Sequence, residues 1–240
     1  MYITPAKIVV DFLRCLLKDP RGRGETINSN TFTTVLNQTD FQLTANSPNK
    51  VQCVTLVTVA GTPQKKWKDY YIDTRRQMVV FFTGLTSGQE VLINFKEGKK
   101  SWIFEKKTNK NKTKGKTAGL KADDYPRIIV TNQGGTDARL GRFNCEVESN
   151  ILFQIDCWAK EKENTQLFTI DGLKYGGNNL SEYLIWNVKK CFETNEEDLH
   201  PVLYDYQATS LPKELSFDES TQSYHYNLDI ILKGLNVGRI

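Results

Sequence analysis

The 240-residue chain reads as an α+β protein. Three observations carry that reading: an amphipathic segment near the N-terminus, a long series of short alternating strands, and a second amphipathic segment late in the chain. Thr4-Pro5 has the form of an N-cap followed by proline at the first helical position. Ile8, Val9, Phe12, Leu13, Leu16 and Leu17 then recur at helical spacing, and Pro20 and Gly22 stop the pattern. The spacing predicts a helix over residues 5–18.

Residues 20–50 are rich in Asn, Thr, Gln, Ser, Gly and Pro and read as a long connection with at most short strands. From Val51 to Phe104 the chain alternates as strands over 51–59, 67–73, 77–83, 90–95 and 101–104, separated by Gly61-Thr62-Pro63, Thr86-Ser87-Gly88 and Gly98. That punctuation predicts an antiparallel meander. Residues 105–124 are nearly devoid of apolar side chains and read as a flexible Lys-rich loop.

Strands resume at Arg127–Thr131, with Gly134-Gly135 expected to open a loop. Phe143–Glu148 and Asn150–Lys160 follow. In the latter, Ile151, Phe153, Ile155 and Cys157 share one face, and Leu152, Gln154, Asp156 and Trp158 share the other. Leu180, Leu184, Val188 and Cys191 line one side of a second helix, which Asn178 or Asn179 can cap. Strands near 202–209 and 224–232 close the chain. The expected domain organisation is a core from residues 1–50 and 105–240, with 51–104 as an inserted β-rich lobe.

Composition narrows the function classes. The net charge of +4 is largely local. Lys106, Lys107, Lys110, Lys112, Lys114 and Lys116 lie within one short run, without interleaved aromatics. Such a run suits contact with DNA phosphates or an acidic partner and does not suit base stacking. The five cysteines are odd in number and widely spaced, which predicts free thiols in a reducing compartment. No apolar run is long enough for a bilayer, and the N-terminal stretch is interrupted by Asp11 and Arg14, unlike a signal peptide. The expected site of synthesis is a cytoplasm, with no membrane contact.

Catalytic chemistry has little to stand on. His200 and His225 are the two histidines, and neither belongs to a metal-ligand spacing. Asp123-Asp124 and Glu196-Glu197-Asp198 read as solvated acidic clusters. Gly134-Gly135 and Gly176-Gly177 match no phosphate-binding fingerprint. The chain is expected to be no enzyme and to carry no cofactor, catalytic residue or metal.

The phrase Ile155-Asp156-Cys157-Trp158-Ala159-Lys160, feeding a helix, resembles the tail-terminator and tail-completion proteins of long-tailed viruses. Asp69-Tyr70-Tyr71-Ile72-Asp73, followed by Met78–Phe82, Gly88 and Val91, resembles hairpins of viral structural proteins; Phe95 stands where those more often have tyrosine. The resemblance implies an N-terminal helix, an antiparallel sheet and a second helix before the last strand. It also implies a homo-oligomeric ring, commonly a hexamer, at the head-tail junction. Such a ring ends the tail tube, joins it to the head connector and lets viral DNA pass through its lumen. An adaptor or stopper ring beneath the portal and a cytoplasmic nucleic-acid-binding module are the alternatives. Trp158, Asp156 and Lys160 are the candidate subunit interface: with the inward face of their strand under the second helix, Trp158 must pack on the first helix or on another subunit.

Overall fold

A computed structural model describes residues 4–73, 76–98, 101–106, 125–139, 147–160, 168–199, 203–219 and 223–235. The chain divides into two compact units. One comprises residues 1–20 and 102–240, and the other runs from Arg21 to Ser101.

The first unit begins with α1 (Pro5–Leu16). The Thr4 side chain accepts a hydrogen bond from the Lys7 amide, and Pro5 stands in the first turn, as the sequence predicts. The helix ends two residues short of the expected boundary, at Leu16. Ile8, Val9, Phe12 and Leu13 are buried.

The second unit is built from β1 (Thr26–Thr33), β2 (Gln38–Gln42), β3 (Lys50–Val59), β4 (Thr62–Pro63), β5 (Tyr70–Asp73), β6 (Met78–Leu85) and β7 (Glu90–Gly98). Residues 21–50, expected as part of the core, therefore belong here. β1 was not legible as a strand because Ile27 and Phe32 are its only large apolar residues. It is held instead by pairing along its whole length with β7.

The strands do not form a meander either. They make two sheets, ordered β1-β7-β3-β4 and β2-β6-β5. One cluster, including Phe41, Val57, Tyr70, Val79, Phe81, Ile93 and Phe95, is buried between them. β3 pairs with β7 across two register shifts, and the pair buries Val54, Val57, Val59, Val91, Ile93 and Phe95 in this cluster, whereas β5 and β6, between them in the chain, belong to the other sheet. Ala60 and Gly61 both adopt positive φ in the turn from β3 to β4, the backbone a two-residue hairpin needs.

A buried carboxylate organises one end of this unit. Glu97 receives hydrogen bonds from the Asn46 amide at 2.8 Å and from the side-chain amides of Asn46, Asn49 and Asn28 at 3.1, 3.1 and 3.2 Å. Burial alone raises the Glu97 carboxyl, but the four donors outweigh it and hold it below its ordinary value.

The first unit continues with β8 (Ile103–Glu105), β9 (Arg127–Arg139), β10 (Val147–Lys160), β11 (Phe168–Ile170), β12 (Leu173–Tyr175), α2 (Gly177–Thr194), β13 (Leu203–Ala208), β14 (Lys213–Asp218) and β15 (Ser223–Leu235). The main sheet runs β13-β15-β10-β9-β8, and β14 also pairs with β15. All of its pairings are antiparallel except that of β8 with β9, so the sheet is mixed. The segment 103–105, expected in the inserted lobe, is thus an edge strand of the core.

Both helices cover one face of this sheet. Ile128, Val130, Ile151, Phe153, Ile155, Cys157, Leu228, Ile230 and Leu232 project into that layer and pack with α1 and α2. Phe12 of α1 meets Phe192 of α2 with ring centroids 5.0 Å apart. α2 begins earlier than expected, with Gly176 as N-cap and no side-chain cap; neither Asn178 nor Asn179 fills that place. Gly134 and Gly135 stay within β9, opposite Leu152 and Ile151, rather than opening a loop. A β-bulge follows between Leu152 and Phe153. Asp171-Gly172, both at positive φ, makes the tight turn between β11 and β12, a hairpin the sequence reading missed.

Two tests follow from the second unit. Glu97→Gln is expected to cost about 1–3 kcal/mol in urea unfolding, because it weakens a charged acceptor that serves four donors. Since the folded carboxyl sits below the unfolded value of about 4.3, wild-type stability from this group is complete above that pH and is lost as the pH falls below it; the variant should lack that loss. A Cβ on Gly98 would lie 2.3 Å from the Gly24 Cα, backbone that cannot yield cheaply. Gly98→Ala is expected to destabilise the protein by about 1–3 kcal/mol, read by thermal unfolding, and an unchanged transition would contradict this close approach.

Candidate subunit interface

Strand alternation puts a second set of side chains on the sheet face that carries no helix. Pairing aligns them in rows. Arg127, Trp158 and His225 face one another across β9, β10 and β15, and Ile129, Asp156 and Asn227 form the next row. Thr131, Gln154 and Asp229 form a third. Lys160 continues the face beyond Trp158.

The array is well ordered. Trp158 and His225 stack with centroids 3.8 Å apart and planes 12° from parallel. His225 Nε2 lies 2.8 Å from Asp156 Oδ1, which also accepts from Gln154 Nε2 at 3.1 Å. The Arg127 guanidinium lies 5.7 Å from the Trp158 ring centroid and 5.0 Å from that of Tyr125. Asp156 is buried, and its partner His225 supplies the hydrogen bond that burial demands. Some groups on this face stay unserved. Arg127 Nε and Trp158 Nε1 are shut off from solvent with no acceptor among the described residues, and Thr131 Oγ1 and Asn227 Oδ1 are likewise unpaired.

Of the two supports open to Trp158, α1 is thereby removed. α1 and α2 share the opposite layer, so Trp158 packs on His225 and Arg127. Asp156 and Lys160 flank it as the alternation predicts. Arg127 and the His225–Asp156 pair were missed. Cross-strand register was needed to bring them together, and register is not written in a single strand.

The remaining sequence candidates fare differently. Lys106 is exposed just past β8, with its amide bonded to the Val130 carbonyl at 2.9 Å. Lys107, Lys110, Lys112, Lys114 and Lys116 lie outside the described residues, as do Asp123, Asp124 and His200. Glu196, Glu197 and Asp198 form an exposed 3-10 turn after α2. Among the described residues no group of three His, Cys, Asp or Glu side chains could hold a metal ion.

The sheet edges are managed unequally. The outward carbonyl of Ile103 on β8 accepts from Arg14 Nη2 at 2.7 Å and Nε at 3.2 Å, so α1 blunts that edge. β13 and β14 each carry a register irregularity in their pairing with β15. β8 covers only Ile128–Val130 of β9. From Thr131 onward β9 has no second neighbour among the described strands.

Cysteine chemistry also departs from expectation. Cys15 and Cys53 each carry a disulfide bond, whereas among the described residues Cys157 and Cys191 are free thiols. Burial, with the Asp156 charge next to it, pushes the Cys157 thiol well up, and burial pushes Cys191 up to about 11. Neither supplies thiolate near neutrality. Iodoacetamide at about pH 8 is therefore expected to spare both in the native protein and to modify them in urea; native labelling of Cys157 at the rate of a free thiol would contradict its burial.

No protein-family model matches this chain, and comparison with curated proteins returns no match.

Proposed function

We propose that this protein is a non-enzymatic subunit of a tailed-virus neck, one that acts by closing a ring at the head-tail junction. The observation that carries the proposal is the unequal finish of the main sheet. One face is sealed by both helices. The other holds an ordered aromatic and charged array, and beyond Val130 β9 has no second neighbour among the described strands. A strand edge without a second neighbour among the described residues is a feature that a neighbouring subunit would satisfy.

The order of elements supports the same reading. An N-terminal helix, antiparallel strands, a second helix laid on the sheet and a last long strand is the arrangement that the resemblance to tail-terminator proteins implies. In this proposal the ring ends the tail tube, meets the head connector and admits viral DNA. An adaptor or stopper ring beneath the portal uses the same surfaces and differs in copy number. The reading as a nucleic-acid-binding module rests on the lysine run, of which Lys106 alone lies among the described residues.

Native mass spectrometry with negative-stain imaging across a concentration series tests the proposal. A closed hexameric ring with a central hole is the expected result, and a larger closed ring would select the adaptor reading. A chain that stays monomeric at every concentration and binds neither tail-tube ends nor connectors would overturn it.

A further inference from the structure

One end of the second unit is built from three turns that carry no charge. Residues 26–39, 51–64 and 77–89 contain no Asp, Glu, Lys or Arg, in a chain that is 25% charged. Hydrogen bonds gather their turns together. The buried Thr34 joins two of them. Its amide donates to the Gln89 carbonyl at 2.9 Å and its carbonyl accepts from the Gly88 amide at 2.9 Å. Its hydroxyl donates to the Thr86 carbonyl and accepts from the Gln89 amide at 2.9 Å. The Ala60 amide, donating to the Glu90 carbonyl at 2.8 Å, brings the third turn alongside. Charge resumes at Glu90, which pairs with Thr33, a row short of the tip.

Val35 and Leu36 form that tip and are 64% and 69% exposed. Turn positions ordinarily go to Gly, Asn, Asp or Ser, so two adjacent aliphatic side chains stand out there. Their backbone is served from within. The Val35 amide donates to Gln38 Oε1 at 3.1 Å, and the Val35 carbonyl accepts from the Gln38 amide at 3.1 Å. The Asn37 amide donates to the Leu85 carbonyl at 2.9 Å, and Asn37 takes the positive φ that the third position of such a turn requires. Leu36, at the second position, has no acceptor for its amide among the described residues. A Cβ on Gly84 would lie 2.8 Å from the Asn37 Cα, so β6 lies hard against the turn and holds its shape.

A turn in water has no need of this, because water serves open backbone groups. A turn that leaves water has to bring its hydrogen bonds with it and leave charge behind. A protein pocket can supply acceptors of its own, and the anchors that fill such pockets are typically aromatic or Arg. The tip has neither kind. Hydrocarbon supplies no acceptor at all.

We propose that the Val35–Leu36 turn inserts into the interfacial layer of a lipid bilayer, with the exposed Asn37, Thr86 and Ser87 at the level of the headgroups. Such a contact does not span. No helix among the described residues is long and apolar enough to cross a membrane, and the expectation of no membrane contact came from looking for a spanning run. Two aliphatic side chains give one copy weak, reversible attachment. The inference goes beyond the ring reading and is tested apart from it.

Flotation of the full chain with phosphatidylcholine vesicles is the test, run in about 0.5 M salt, which screens the lysines. The wild type is expected to float with the vesicles, and to do so equally at low salt. Val35→Ser/Leu36→Ser is expected to lose about a hundredfold in partition, about tenfold for each side chain withdrawn, with thermal unfolding unchanged. Ile27→Ser alters an exposed apolar residue at the far end of β1 and should leave partition as it is. Leu36→Trp, in vesicles brominated on their acyl chains, should show quenching beyond that of the wild-type tryptophans.

A wild type that stays in the soluble fraction, a double variant that floats as well as the wild type, or a tryptophan at position 36 that bromine does not quench would overturn the insertion. So would attachment confined to anionic vesicles at low salt, which is the behaviour of a lysine run. Weaker self-association of the double variant, with flotation of neither protein, would overturn the lipid contact and assign the tip to a protein partner.

Discussion

The main sheet depends on one strand. β10 runs for fourteen residues, pairs with β15 along nearly its whole length on one side and with β9 on the other. Every second side chain from Ile151 to Ala159 is buried beneath the helices. This single period-two alternation sets two properties at once: an apolar layer on which α1 and α2 rest, and a polar layer that has to find its own partners. A shift of one residue in its register would put Phe153 and Ile155 in the polar layer and Asp156 and Trp158 beneath the helices, so the hydrophobic layer enforces the polar one.

The polar layer meets that demand only in part. His225 answers Asp156, and stacking on Trp158 fixes the imidazole. Among the described residues Arg127 Nε and Trp158 Nε1 are buried N–H groups with no acceptor, each a cost of about 1–3 kcal/mol. The edges point the same way. Arg14 caps β8 and β13 and β14 pair with β15 in irregular register, while the polar, glycine-bearing continuation of β9 is left without a second neighbour among the described residues. Protection is thus applied to some edges and, among the described residues, not to this stretch of β9.

The second unit solves a different problem. Its strands are poor in apolar residues on their outer sides, and its core is a thin layer between two small sheets. One end is therefore held by polar chemistry: three asparagines converge on Glu97, and the chain passes itself at Gly24 and Gly98 with room for no side chain. Neither device leaves a local pattern. An Asn-rich loop reads as solvent-exposed until the carboxylate it surrounds is known.

The sequence by itself determined the class and the local elements. The Thr4-Pro5 cap, the helical spacing of Ile8 to Leu13 and the alternation through Ile151–Cys157 and Leu228–Leu232 are each decided by neighbours a few residues away, and all are present. It also put Asp156 and Trp158 on the face of their strand opposite Ile155 and Cys157. The tertiary structure decided what those residues meet. β1 is a strand because β7 offers it hydrogen bonds, not because Thr-Ile-Asn-Ser-Asn-Thr-Phe-Thr prefers extension. β8 belongs with β9 rather than with the strands that precede it, and Arg127 reaches Trp158 only through antiparallel register. Short-range periodicity is a property of the chain, whereas pairing across a hundred residues is settled by which buried surfaces fit, and that appears only once the layers are packed.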